Sequence, residues 1–96
     1  MKFLTSTNMK RKTIHFFGNV QGVGFRYTTR SVAGGFEVSG FVRNLRNGSV
    51  ELVAEGNVAE IDRFLEALRN RMSGHIDREE IADAPATGEF AGFGIR

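Results

Sequence analysis

The segment Gly18-Asn19-Val20-Gln21-Gly22-Val23-Gly24-Phe25-Arg26 constrains this chain more than any other, because it joins a strand-like apolar run to a helix-like one through a glycine-punctuated loop. Glycines at 18, 22 and 24 let the backbone take positive φ and bring amide N–H groups to a ligand with no Cβ in the way. A helix that begins directly after such a loop adds unpaired amide donors and the positive end of its dipole. The combination is a cage for an oxyanion. Arg26 at its end can grip a phosphate through the planar guanidinium fork.

The surrounding pattern supplies the rest of a fold. Ile14 and Phe16 alternate with His15 and Phe17, the two-residue period of a strand ending at Gly18. Phe25 to Gly35 reads as a weak helix, since Gly34 and Gly35 each cost about 1 kcal/mol relative to alanine. Val38 to Leu45 and Ser49 to Glu55 read as antiparallel strands joined by Arg46-Asn47-Gly48, where Asn-Gly favours a hairpin turn. Asn57 is a good N-cap with Glu60 placed for a capping box, and Val58, Ile61, Phe64, Leu65, Leu68 and Met72 follow at helical spacing. Ile76 to Ile81 is expected as a strand, Asp83 to Gly88 as a polar turn carrying the only proline, and Phe90 to Ile95 as a last strand. The order β-α-β-β-α-β predicts an α+β, ferredoxin-like sandwich: a mostly antiparallel sheet of four to five strands with two helices on one face.

Composition narrows the chemistry. With 96 residues, 41% of them hydrophobic and nine of them Phe, the chain suffices for one compact core. We expect a flexible extension over 1–11 and a single domain over 12–96. No apolar run approaches the roughly 18 residues that cross a bilayer, and the first residues lack the apolar stretch of a secretory signal, so a cytoplasmic location is expected. There is no cysteine, hence no thiolate nucleophile and no disulfide framework, and two isolated histidines make no metal site. A net charge of +2 favours small anions without demanding nucleic acid.

Eighteen residues beyond Arg26 stands Asn44, at the end of Gly40-Phe41-Val42-Arg43-Asn44, followed by Gly48, Val50 and Gly56. The two stretches together resemble the paired signatures of the acylphosphatase family, G-x-V-Q-G-V-x-F-R and then G-aromatic-V-R-N-x-x-x-G-x-V-x-x-x-x-x-G, in the same order and at the same separation. The likeness runs from about Lys12 to Arg96, including the closing Gly88-Glu89-Phe90-Ala91-Gly92-Phe93-Gly94-Ile95-Arg96. It departs from the family pattern at Phe16, at Asn19, at Asn47, and at Glu37, where a glycine normally closes the first helix.

The resemblance implies hydrolysis of acyl phosphates to carboxylate and inorganic phosphate, with Arg26 and Asn44 catalytic. On that reading the phosphate-binding residues are Val20, Gln21, Gly22, Val23, Gly24, Phe25 and Arg26, acting largely through their amides, with inorganic phosphate or sulfate as further ligands. Val20, Val23 and Phe25 are expected to anchor the loop by packing, and His15, Arg43, Arg46 and His75 to be solvated. No metal, cofactor, nucleic acid or membrane partner is expected, and the protein is expected to be a monomer. The alternatives are a non-catalytic phosphate-binding or nucleic-acid-binding module of the same fold, the latter suggested by the nine Phe. A third is the acylphosphatase-like unit of a hydrogenase maturation protein, which belongs to a much longer chain.

Overall fold

Ile14 and Phe16 are completely buried while His15 between them is not, and this alternation sets the face of strand β1 (Met9–Gly18) that meets the core. In the computed structural model, which describes residues 9–96, β1 is followed by α1 (Phe25–Ala33), β2 (Val38–Asn44), β3 (Val50–Asn57), α2 (Val58–Arg71), β4 (Ile76–Pro85) and β5 (Phe93–Ile95). The strands form one sheet in the order β4-β1-β3-β2-β5. β1 pairs antiparallel with β3 and β4, β2 antiparallel with β3, and β5 parallel with β2. This is the β-α-β-β-α-β order of a ferredoxin-like sandwich, with a short parallel strand added at the β2 edge.

Both helices lie on the face presented by Ile14, Phe16, Val42 and Leu52, where α1 contributes Phe25 and Val32 and α2 contributes Ile61, Phe64, Leu65 and Leu68. Phe16 and Phe25 meet with ring centroids 5.1 Å apart, and Phe64 takes Phe93 edge-on at 5.7 Å. Each such side chain, fully buried, contributes on the order of 2 kcal/mol. Asn57 caps α2 as expected, its Oδ1 accepting from Ala59 N at 3.0 Å. Glu60 does not close the capping box; it accepts from Glu37 N at 2.9 Å and thereby ties α2 to the start of β2. Arg69 of α2 reaches β4 with a bidentate pair to Glu79, both contacts at 2.8 Å.

Several boundaries differ from those expected. β1 begins at Met9, so Met9, Lys10 and Arg11 belong to the sheet, opposite Asn57, Gly56 and Glu55; the rest of the expected extension, 1–8, lies outside the described residues. β4 continues to Pro85, which is tolerated because β4 is an edge strand and Pro85 its last residue. β5 is only Phe93–Ile95, because Phe90 leaves the strand direction to set its ring against Phe41 at 5.8 Å. α1 ends at Gly34 in a right-handed conformation (φ −62°), so Glu37 does not serve as a left-handed cap.

The sheet's second face carries a strap, residues 86–92, whose Thr87 and Gly88 are held by one carboxylate. Glu55 is 3% exposed and accepts from Arg11 Nε at 2.7 Å, from the Thr87 and Gly88 amides at 2.9 Å each, and from Thr87 Oγ1 at 3.1 Å. Burial alone would push its carboxyl up, but the amides of Thr87 and Gly88, then Arg11 and the Thr87 hydroxyl, outweigh burial and hold it at about 2.

Two outcomes follow. Because the folded carboxyl titrates below its ordinary value of 4.5, its contribution is present above pH 4.5 and is lost as pH falls toward 2. Urea midpoints measured across that window should fall for the native protein and fall less for Glu55→Gln; equal slopes would contradict the assignment. In the other test, a Cβ on Gly40 would lie 1.8 Å from Val53 O on the neighbouring strand, at φ 143°. Gly40→Ala is therefore expected to cost about 3 kcal/mol, seen as a lowered urea midpoint at unchanged m.

Candidate active site

The loop between β1 and α1 is fixed at both ends by burial. Val20 is 1% exposed and Phe25 2%, whereas Gly22 and Gly24 between them are exposed. Gly22 and Gly24 have φ of 79° and 78°, the left-handed region that a side chain rarely adopts, and no atom stands within 4 Å of a Cβ built on either. Left-handed residues alternating with others turn successive amides toward one concavity. Gly24 is also the N-cap of α1, and since glycine has no side chain, none caps the helix. The first-turn amides thus have no intrahelical acceptor, and no acidic residue offsets their positive end.

A cleft of about 200 Å³ opens over these groups, with Val20, Gly22, Gly24, Phe25 and Arg26 on one side and Asn44, from the end of β2, on the other. Residues from a loop, a helix start and a strand end, separated in sequence by as many as twenty-four positions, thus share one wall system. Arg26 is exposed and makes no ion pair among the described residues. The Oδ1 of Asn44 is buried and has no hydrogen-bond partner among them. A buried amide oxygen left so costs roughly 1–3 kcal/mol, which a group donating to it would recover. Among the described residues, no carboxylate and no imidazole lines the cleft.

The side chains of Gln21 and Val23 do not line it. Val23 packs against the core, as expected for an anchor. The Gln21 side chain turns to the β2–β3 hairpin, where its Nε2 donates to Leu45 O and Ser49 O, each at 2.8 Å. It therefore staples the glycine loop to the segment that begins one residue after Asn44, a role that sequence reading missed by treating Gln21 as an amide donor alone. The signal was a polar side chain inside an otherwise apolar and glycine loop. The hairpin itself turns as expected, with Leu45 N donating to Ser49 O at 2.9 Å and Gly48 at φ 91°. Tyr27 and Ile95 also line the cleft and were not singled out in the sequence.

Two of the side chains expected to be solvated, His15 and Arg43, are paired with a carboxylate, Arg43 while remaining exposed, and a third, His75, has one ring nitrogen buried. His15 Nε2 and Arg43 Nε both approach the Glu51 carboxylate, at 2.9 and 2.6 Å, on the sheet face away from the helices. Burial tends to raise the Glu51 carboxyl, but hydrogen bonds from His15 and Arg43 hold it below its ordinary value. The Nδ1 of His75 is buried without a partner, in the turn before β4. Neither group is part of the cleft. Among the described residues no three or more His, Asp or Glu side chains gather as a metal site, and no helix is long and apolar enough to cross a membrane.

Comparison with known proteins identifies the family and the fold. The family model described as Acylphosphatase matches residues 12–95. The chain is 44% identical over 86 residues to an acylphosphatase of Paenarthrobacter aurescens, covering 88% of this chain and 92% of that one. It is 42% identical over 88 residues to one of Syntrophus aciditrophicus, covering 91% and 92%. The crystal structure of acylphosphatase from Bacillus subtilis superposes with a TM-score of 0.83 at 30% identity, over 91% of this chain and 98% of that one. By family model, by sequence and by fold, the chain belongs to the acylphosphatase family.

Proposed function

We infer that this protein is an acylphosphatase, an enzyme that hydrolyses the mixed anhydride of a carboxylic acid and phosphate to carboxylate and inorganic phosphate. The observation that carries the site assignment is the meeting of the glycine loop, Arg26 and the unpartnered Asn44 Oδ1 around one cleft. Amides of residues 20–26 hold the phosphoryl oxygens, and Arg26 neutralises their charge. Asn44 Oδ1 accepts a hydrogen bond from a water molecule and directs its oxygen at phosphorus, opposite the acyl oxygen. As the new P–O bond forms, the bond to the acyl oxygen breaks and a carboxylate departs with the electron pair.

A carboxylate leaves readily, so no general acid is needed, and positioning with charge stabilisation carries the reaction. The water's proton passes to a phosphoryl oxygen, consistent with a cleft lined by neither carboxylate nor imidazole. Arg26 and the amide cage occupy the electrostatic role that a metal ion fills in many phosphoryl-transfer enzymes, and on this reading the reaction is metal-independent. Inorganic phosphate, the product, and its analogue sulfate bind in the same cage. The protein acts as a cytoplasmic monomer, and its catalytic domain takes in Met9–Arg11 of β1 together with 12–96.

The nucleic-acid-binding alternative needs open aromatic rings on the sheet face. Here Arg96 stacks on Phe41 at 4.1 Å and Arg78 on Phe17 at 3.9 Å, while Phe90 covers the edge of Phe41, so these rings are already occupied. The catalytic reading is favoured accordingly.

Following the loss of benzoyl phosphate tests it. Turnover is expected to persist in excess chelator and to fall by roughly a hundred to a thousandfold in Asn44→Ala. Arg26→Ala is expected to lose both turnover and phosphate affinity, and Arg26→Lys not to restore them, since an ammonium lacks the bidentate fork. Wild-type turnover in Asn44→Ala, or activity that chelation abolishes, would refute the mechanism.

A further inference from the structure

Four large apolar side chains are exposed among the described residues, Met9, Tyr27, Ile81 and Ile95, and two of them stand on the wall of one cleft. Tyr27 is 65% exposed and Ile95 36%. A single apolar residue on a surface needs no account, but two that line the same cleft as Arg26, Asn44 and the loop glycines give it a lining of mixed character, part polar and part apolar. The proposed substrate has the same division, a phosphoryl group at one end and an acyl group at the other.

Both residues stand on regular elements whose backbone is fixed before any ligand arrives. Tyr27 lies in the first turn of α1, directly after Arg26, and the guanidinium of Arg30 sits 5.2 Å from its ring centroid. Ile95 is paired with Val42 in the parallel β2–β5 ladder, two residues before Asn44, and Arg96 N donates to Val42 O at 2.9 Å just beyond it. Apolar walls that are already ordered cost little further entropy when they bind.

We propose that Tyr27 and Ile95 form the acyl subsite, and that this enzyme therefore favours acyl phosphates whose acyl group is an apolar alkyl chain or an aromatic ring. The proposal rests on the hydrolytic reading above and adds the substrate class to it. Contact with the acyl group exists in the ground state and survives into the transition state, because the bond that breaks lies on the phosphorus side of the acyl oxygen. Such uniform binding lowers KM and raises kcat/KM, with little change in kcat.

A chain-length series tests it. Acetyl, butyryl and hexanoyl phosphates release carboxylates of nearly equal basicity, so a trend in kcat/KM reports contact with the chain rather than leaving ability. In the native enzyme kcat/KM is expected to rise roughly tenfold or more from acetyl to hexanoyl phosphate, chiefly through KM. Tyr27→Ser and Ile95→Ser are each expected to flatten the rise several-fold, and Tyr27→Phe, which keeps the ring, to preserve it. The hexanoyl-to-acetyl ratio is taken within each variant, so it does not depend on how much of that variant folds. A flat series in the native enzyme, or a rise undiminished in both serine variants, overturns the acyl subsite while leaving the hydrolase reading intact. Failure of the native enzyme to hydrolyse any of the three overturns both.

Discussion

Anchoring Val20 and Phe25 in the core is the constraint from which the functional end of this molecule derives. The two residues bracket a short, solvent-facing stretch whose backbone would otherwise have many conformations, and burying both ends removes most of them. Phe25 does this against Phe16 of the central sheet, and Val20 within the same cluster. What remains flexible in principle is then pinned from a third direction by Gln21, whose side chain bonds two carbonyls of the hairpin that follows Asn44. Loop, hairpin and helix start are thus tied together, and the spacing of the glycine loop from Asn44 is set by core packing and by the two Gln21 hydrogen bonds.

Much of this was legible in the residues and some was not. The helix Val58–Arg71, its Asn57 cap and the Asn47-Gly48 turn are encoded by local chemistry that few tertiary contacts can override, and they appear where the sequence puts them. The extent of the edge strands is a different matter. β4 runs on to Pro85 because β1 offers partners as far as Lys10, and no feature of Ala82-Asp83-Ala84-Pro85 announces that. Phe90 reads locally as the start of a strand, yet the ring of Phe41 and the guanidinium of Arg11 draw it onto the open face. The cleft's glycines, Arg26 and Asn44 could be named from a motif, whereas Tyr27 and Ile95 could not, since nothing local relates them until the strand at the far edge is placed beside the helix start.

The charge distribution divides the molecule in a similar way. On the open face Glu55 and Glu51 are saturated with donors, and the arginines there are spent on carboxylates and aromatic rings. Fixed cations on that side stabilise the strap and have little left for a ligand. At the cleft the balance is reversed. Positive potential comes from unpaired amides, a helix end and Arg26, with no carboxylate on the lining to cancel it. The fold places its neutralised charge where rigidity is needed and leaves its surplus charge at the cleft.

A last consequence concerns the glycines at 22 and 24. Recognition that resides in peptide groups cannot be deleted by exchanging one side chain for another, because every amino acid except proline brings the same N–H. What a substitution in this loop alters is the torsion angle that aims the group, through a Cβ where φ is near 79°, or the apolar plug that keeps the turn from relaxing. The robustness of the cage to mutation is therefore a question of dihedral tolerance and side-chain volume, and only secondarily one of polarity.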